Sequence, residues 1–149
     1  MKTRFFAVLA GLALCTAAHA NDAQSVQATK GWVRVLPGNL PAGGYVELKN
    51  TSDHTVKIVG AQSAFYGHTM FHRSSTEGGM GRMEMLDEVD LPPNAVTTFA
   101  PGGYHVMLMD AKKPVKVGDH VVVNFQLADG SVLPVDFTAR PANAFSLTD

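Results

Sequence analysis

The 149-residue chain contains a single cysteine, Cys15, and this residue lies in a segment that we expect to be removed. A short basic segment precedes an uncharged apolar run from Phe5 to Leu14, and Ala18-His19-Ala20 then supplies small residues at the positions that a signal peptidase reads. This arrangement predicts a secretory signal peptide, residues 1–20, with cleavage after Ala20. Without Cys15, the mature protein can form no disulfide, use no cysteine nucleophile and bind no metal through thiolate.

The sequence also lacks a long hydrophobic run. The apolar stretch near the N-terminus is far shorter than the ~20 residues of a membrane-spanning helix, which argues against a permanent anchor. Leu14 occupies a position where a lipoprotein signal requires a small residue, so we do not expect lipidation at Cys15. Residues 21–149 are therefore expected to form one soluble domain without stable membrane insertion.

Two functional classes are disfavoured by missing patterns. The formal net charge is −1 and the basic residues are scattered, with only Lys112 and Lys113 adjacent, so no basic patch is available for nucleic acid. The chain contains neither a nucleophile elbow nor an HExxH motif, which argues against a hydrolase. We therefore expect a binding protein and not an enzyme.

Short β-strands separated by turns account for the pattern of the mature region. Strand signals lie at residues 32–36, 45–48, 55–59, 69–72, 81–86, 96–99, 104–109, 120–127 and 132–139. Turns rich in Gly, Pro, Asn and Asp divide them, and no window shows a helical period longer than about two turns. The pattern predicts an all-β sandwich or barrel in which Val121–Phe125 is a central strand, Trp32 anchors the core and the tail from Pro141 is loose.

The methionines are the most informative residues of the sequence. Apart from Met1, all of them lie between residues 70 and 109, and three histidines lie in this interval or just before it. These residues are Met70, Met80, Met83, Met85, Met107, Met109, His68, His72 and His105. Methionine often fills irregular gaps in a core. That role explains one or two methionines better than it explains a cluster that shares its strands with histidines.

Strand geometry predicts how these side chains are arranged. Alternate residues of a strand point to the same face, so His105, Met107 and Met109 share one face of their strand. Val106 and Leu108 point to the other face, which we expect to be the core side. Met83 and Met85 likewise share one face of theirs. Two strands that carry soft ligands could therefore meet at one metal ion.

The type of ligand selects the type of metal. Thioether sulfur is soft and imidazole nitrogen is borderline, so a site that combines them without thiolate or carboxylate favours Cu(I) over zinc, calcium or magnesium. Thioethers also form no disulfides in an oxidising compartment, although they can be oxidised to sulfoxides. A mixed His/Met site is therefore suited to copper outside the cytoplasm.

The spacing of these residues resembles that of the periplasmic copper chaperones of the PCu(A)C family. In that family a His is followed after ten residues by a Met, and after twenty-one more by His-x-Met. Here His72 precedes Met83 by the same interval, and His105-Val106-Met107 follows at the expected distance. The flanking segments 79–83, 101–109 and 45–51 are also similar to the family.

The resemblance implies a cupredoxin-like β-sandwich of Greek-key topology with an exposed Cu(I) site formed by His72, Met83, His105 and Met107. It further implies a periplasmic chaperone that delivers copper to the dinuclear copper centre of a haem-copper oxidase, and we expect the mature protein to be a monomer. Delivery would be direct, to oxidase subunit II, or through a thioredoxin-fold assembly factor. Some relatives carry a C-terminal tail rich in Met and His. This chain ends without one, so we expect no second site there.

Several alternatives remain open at the level of sequence. Met80, Met85 or Met109 could replace one of the thioether ligands, and His68 and Met70 could take an entry or supporting role. Copper storage or tolerance is an alternative function, and a metal-free interaction domain is a weaker one. A copper electron-transfer protein is disfavoured because blue-copper sites need a Cys thiolate. A zinc site of His72, His105 and a carboxylate lacks a nearby acidic residue at ligand spacing.

Overall fold

Residues 120–127 alternate between buried and more exposed positions, as expected of a strand with one face on a core. Val121, Val123 and Phe125 are completely buried and Leu127 nearly so. This strand lies between two others, as predicted for Val121–Phe125. The computed structural model describes residues 21–146 and residue 148, so the predicted signal peptide lies outside the described residues.

Within the described residues the chain forms one four-residue α-helix, α1 (Asp22–Ser25), one short 3-10 helix (Glu77–Gly79) and ten strands. The strands are β1 (Val26–Arg34), β2 (Ala42–Asn50), β3 (Val56–Ser63), β4 (Tyr66–Ser75), β5 (Arg82–Leu86), β6 (Val89–Leu91), β7 (Val96–Phe99), β8 (Tyr104–Ala111), β9 (His120–Leu127) and β10 (Val132–Arg140). The all-β class is confirmed. The three-residue β6 was not predicted, and β1 and β4 begin earlier than the sequence indicated. No helix in this part of the chain is long and apolar enough to cross a membrane.

The strands are joined by hydrogen bonds in the order β5-β4-β8-β7-β2-β1-β10-β9-β3-β6, and β8 also pairs with β2. Most neighbours are antiparallel, whereas β1–β10 and β7–β8 are parallel. Many neighbours in space are distant in sequence, as a Greek-key topology requires. The sheet folds over on itself, so that rings of β4 and β7 meet a ring of β9 across the core, as in the predicted β-sandwich.

Aromatic rings from both layers join in the core between them. Phe125 of β9 lies 5.9 Å from Phe71 of β4 and 6.5 Å from Phe99 of β7, measured between ring centroids. Phe137 of β10 packs edge-on against Phe125 at 6.3 Å. Because these contacts bridge the layers, the inner face of β4 and β8 is committed to the core and their other face is left for solvent.

A second, smaller apolar cluster lies on the outer face and corrects two expectations. Trp32, Tyr45 and Ala144 are buried together, apart from the main core. Trp32 is therefore not an anchor of the main core, because its neighbour Val33 takes the inward position of β1. The C-terminal segment is not loose directly after Pro141, since Ala144 is buried and its carbonyl accepts hydrogen bonds from the Arg34 guanidinium at 3.0 and 2.6 Å.

Asn50 is a buried polar residue whose side chain is fully hydrogen-bonded. Its Nδ2 donates to the carbonyl oxygens of His54 and Leu91, at 2.8 and 2.9 Å. Its Oδ1 accepts from the backbone N–H and the hydroxyl of Ser52, at 2.9 and 2.7 Å. One side chain therefore ties the end of β2 to the following turn and to β6, and leaves no amide group of its own unsatisfied.

Replacing Asn50 should destabilise the fold. Asn50→Ala leaves the buried Leu91 carbonyl without its donor and removes four hydrogen bonds, so we expect the free energy of unfolding to fall by about 2–3 kcal/mol. Urea denaturation followed by circular dichroism measures this change. Asn39→Ala, at an exposed position, is the control and should alter stability little. Equal midpoints for the two variants would contradict the role assigned to Asn50.

Candidate metal centre

His72 and His105 lie directly opposite each other on neighbouring strands. They are register partners in the antiparallel β4–β8 ladder, so both side chains project from the same face. Their imidazole rings are 5.5 Å apart between centroids, with an interplanar angle of 30°. The flanking Phe71 and Val106 are buried in the core, which leaves the two histidines on the outer face of the sandwich. The structure thus brings together two histidines that are 33 residues apart in sequence.

The predicted thioether ligands lie on the same outer face. Met107 follows His105 by two residues on β8, and its register partner on β2 is Gly43. On β5, Met83 is the register partner of Ser74, and Met85 is that of His72. The three neighbouring strands β5, β4 and β8 therefore carry their soft donors side by side on one face.

An open cavity distinguishes Met83 from the neighbouring methionines. This cavity has a volume of about 290 Å³, and Met83, His105 and Met107 all contribute to its lining. His72 does not line it, and neither do Met80 and Met85. Both of these side chains are more than half exposed, as Met83 is. Of the three methionines near β5, Met83 is thus the one that shares a cavity with the donors of β8.

Burial differs strongly among the four candidate ligands. His105 is only 6% exposed, although it lies on the outer face, because the rings of His72 and Tyr45 cover it. His72 and Met107 are half-buried, whereas Met83 is 60% exposed. Strands β4 and β8 therefore supply the more buried candidate ligands, and the edge strand β5 supplies an exposed thioether.

The ring nitrogens of the two histidines are in different environments. Nδ1 of His105 donates a hydrogen bond to the carbonyl oxygen of Gly103 at 3.2 Å, which leaves Nε2 of the neutral ring with a lone pair. Nδ1 of His72 is buried and has no hydrogen-bond partner in the described part of the chain. A buried polar atom without a partner costs free energy, and a bond to a metal ion would remove that cost.

Burial lowers the pKa of His72 below its ordinary value, and the adjacent His105 lowers it further. The neutral form of His72 therefore persists to a lower pH than in an exposed histidine. Only the neutral ring carries a lone pair for a metal ion. The environment of this histidine thus favours the form that can act as a ligand.

An aromatic wall beside these residues was missed by the sequence analysis. We define the aromatic wall as Trp32, Tyr45 and Phe145 together with the Arg34 guanidinium, which lies about 5.5 Å from all three rings. Tyr45 connects it to the face that carries the candidate ligands, at 4.5 Å from the Trp32 ring and 6.4 Å from the His105 ring.

Gly43 makes room for the aromatic wall on β2. A Cβ atom at this position would lie 2.7 Å from the Tyr45 hydroxyl oxygen, so only glycine permits this position of the ring. The alternation of side chains within residues 45–48 could have been used to predict that Tyr45 lies on an outer face. The register between β2 and β8, which puts Tyr45 beside His105, has no signal in the sequence.

The remaining histidines and methionines occupy defined positions. His68 and Met70 on β4 are the register partners of Met109 and Met107 on β8, so they continue the row that begins with His72 and His105. Among the described residues, no group of three His, Cys, Asp or Glu side chains is arranged to hold a metal ion. The zinc site considered from the sequence, two histidines and a carboxylate, is therefore not assembled here.

Comparison with known proteins gives the family. Residues 26–139 match the family model described as LpqE-like. The chain is 33% identical over 153 residues to "Putative lipoprotein Lxx21020" of Leifsonia xyli subsp. xyli (strain CTCB07), and the match covers 97% of this chain and 89% of the relative.

Solved structures with the same fold are copper-protein domains. The apo PCuAC domain of PmoF2 superimposes with a TM-score of 0.68 at 25% identity, over 82% of this chain and 94% of that domain. The solution structure of CuI-DR1885 from Deinococcus radiodurans gives a TM-score of 0.63 at 31% identity, over 84% of this chain and 83% of that one. The fold, the family model and these similarities together show that the chain belongs to the PCu(A)C family, with its cupredoxin-like fold.

Proposed function

We propose that this protein is an exported Cu(I)-binding metallochaperone and not an enzyme. The observation that carries the proposal is the group of two imidazoles and two thioethers on one face of β4, β5 and β8. Soft sulfur combined with imidazole favours Cu(I) over harder divalent ions. Similar structures support the metal, since one is a copper-bound PCuAC domain of PmoF2 and another is CuI-DR1885.

His72, Met83, His105 and Met107 are the ligands that we propose for the copper cargo. His105 would hold the ion from below, since it is buried and its ring is oriented by the Gly103 carbonyl. Met83 would complete the site from the exposed edge strand. A thioether is uncharged and binds weakly, so an incoming thiolate could displace Met83 first and then the deeper ligands. Stepwise exchange of this kind lets a carrier hold copper and still release it.

The ligand assignment predicts the result of a copper titration. The mature protein, residues 21–149, should bind one equivalent of Cu(I) at these four ligands, which we call the primary site. His105→Ala combined with Met107→Ala should abolish this binding, because it removes the buried imidazole and its neighbouring thioether. Anaerobic competition with a chromophoric Cu(I) chelator measures the affinity. Undiminished high-affinity binding in the double variant would refute the assignment.

Single methionine variants on β5 and just before it supply the matched controls. Met83→Leu should weaken Cu(I) binding at least tenfold, whereas Met80→Leu and Met85→Leu should leave it nearly unchanged, since neither side chain lines the cavity. Leucine preserves size and hydrophobicity in each case. Competition with Zn(II) should not displace the copper, because the site offers only two imidazoles and no carboxylate.

Delivery to a haem-copper oxidase is the cellular role that we propose. The acceptor would be the dinuclear copper centre of oxidase subunit II or its thioredoxin-fold assembly factor, both of which can offer thiolates. Thiolate binds Cu(I) more strongly than thioether does, so transfer would run from this protein to the acceptor. Copper storage or tolerance is the alternative role, and it would require retention in place of transfer.

A transfer experiment distinguishes these two roles. The Cu(I)-loaded protein is mixed with the apo soluble domain of subunit II or with the reduced assembly factor, and the two proteins are then separated by ion exchange. We expect most of the copper on the acceptor within minutes. Copper that stays with its original carrier would favour storage. Free reduced glutathione at the same thiol concentration is the control for non-specific extraction.

Export to the periplasm is the location that we propose for this chemistry, with a monomeric mature protein. The support is the basic, apolar and small-residue order of residues 1–20. Protein recovered from the periplasm of a bacterial host should begin at Asn21, because cleavage is expected after Ala20. Intact mass spectrometry measures the N-terminus, and Ala18→Arg with Ala20→Arg should block processing. An unprocessed periplasmic protein would contradict this proposal.

A further inference from the structure

A histidine–carboxylate pair lies on the strand pair that carries the primary site, but outside the four residues assigned to it. Nδ1 of His68 on β4 is 2.5 Å from Oδ2 of Asp110 on β8. An ionised carboxylate can only accept a hydrogen bond, so Nδ1 carries the proton. In the neutral ring, Nε2 then keeps its lone pair. Carboxylates orient metal-binding histidines in the same way in many metal sites.

The backbone around Asp110 is shaped to allow this contact. Asp110 has a φ of 56°, in the left-handed region that residues with a side chain seldom adopt. Across the ladder, a Cβ atom on Gly67 would lie 3.1 Å from Cβ of Asp110, closer than side chains normally approach. The chain therefore combines an aspartate in the left-handed region, which Asp and Asn tolerate better than most residues, with a glycine opposite it.

His68 has one methionine beside it on its own strand and another opposite it on β8. Met109 is its partner across the β4–β8 ladder. Met70 follows His68 by two residues, and its own partner is Met107 of the primary site. Both Met70 and Met109 are half-buried. The soft donors therefore form a continuous row along two strands, from the His72/His105 pair through Met70/Met107 to His68/Met109.

Two other histidines show that a carboxylate partner alone is not a sign of a metal site. His120 has Asp136 at 2.8 Å from its Nδ1, and His54 has Asp22 and Asp53. The register partner of His120 is Thr138, and apart from Met1 no methionine lies outside residues 70–109. His68 is thus the carboxylate-oriented histidine that shares its strands with thioethers.

We propose that His68, Met70 and Met109 form a second, weaker Cu(I) site next to the primary one, with Asp110 as a positioning residue. The choice of metal rests on the proposed function, whereas the residues follow from the β4–β8 register. Cu(I) would move between the two sites by ligand exchange at the Met70/Met107 pair. The ion keeps its charge and no electron is transferred, so the step needs no co-reactant. The second site would receive copper first and pass it to the tighter site.

Methionine methyl NMR tests this proposal on the mature chain. The protein is labelled with [13C]methyl-methionine and titrated anaerobically with Cu(I), and in a parallel titration with Ag(I), which is redox-inert. We expect the methyl signals of Met83 and Met107 to shift with the first equivalent. Those of Met70 and Met109, and the ring signals of His68, should shift with the second. Shifts at Met70 and Met109 complete at one equivalent, or absent at two, would overturn the second site.

Matched variants separate the two sites. His68→Ala should abolish the second equivalent and leave the first intact, whereas His120→Ala removes an equivalent histidine–carboxylate pair and should change neither. His105→Ala with Met107→Ala should remove the first equivalent and leave the weak one. This double variant therefore tests the primary site separately from the second site. Loss of both equivalents in His68→Ala would refute two separate sites.

The role of Asp110 has its own readout. Asp110→Asn keeps a residue that tolerates the left-handed conformation but replaces the carboxylate. The second equivalent should bind about tenfold more weakly, within the range seen for supporting carboxylates. The 15N signals of the His68 ring should show loss of the fixed Nδ1–H tautomer. An unchanged tautomer and affinity would refute a positioning role.

Discussion

The register of β4 against β8 is the constraint on which the rest of the site depends. It pairs His72 with His105 on the outer face, while Phe71 and Val106 fill the core on the inner face. Side chains alternate along a strand, so a slip of one residue would turn the histidines inward and expose the apolar residues. The aromatic contacts of Phe71 with Phe99 and Phe125 oppose such a slip. Hydrophobic burial therefore determines the geometry of the candidate ligands without involving any of them.

The candidate ligands differ in their exposure to solvent. A fully buried copper site would hold the ion rigidly, whereas a fully exposed one would leave its soft ligands open to oxidation. Here His105 is protected beneath neighbouring rings, and Met83 on the edge strand is open to solvent. An edge strand is suited to this task because only one of its sides is paired. An opening wide enough to admit a metal ion would also admit the ligands of an acceptor.

The aromatic wall connects the site to the C-terminal segment. Arg34 packs against the rings of Trp32 and Tyr45 and also donates to the Ala144 carbonyl. Through Tyr45, these contacts reach the buried histidine. Burial raises the pKa of Tyr45, so its hydroxyl stays protonated and neutral beside the site. Residues 141–146 are held in place by polar and cation–π contacts rather than by a large apolar area, so the sequence carries no hydrophobic pattern that predicts their position.

The sequence by itself determined the all-β class, the central position of β9 and the parity that puts His105 and Met107 on one face. These features are local, because a period of two along one strand is sufficient to show them. The spacing of His72, Met83, His105 and Met107 also identified the family. Only the tertiary structure decided that Met83, and not Met80 or Met85, shares the cavity with the β8 donors. It also decided that Tyr45 covers His105 and that Asp110 reaches His68. Such contacts depend on the register between strands that are distant in the chain, and register is set by packing of the whole core rather than by any local pattern.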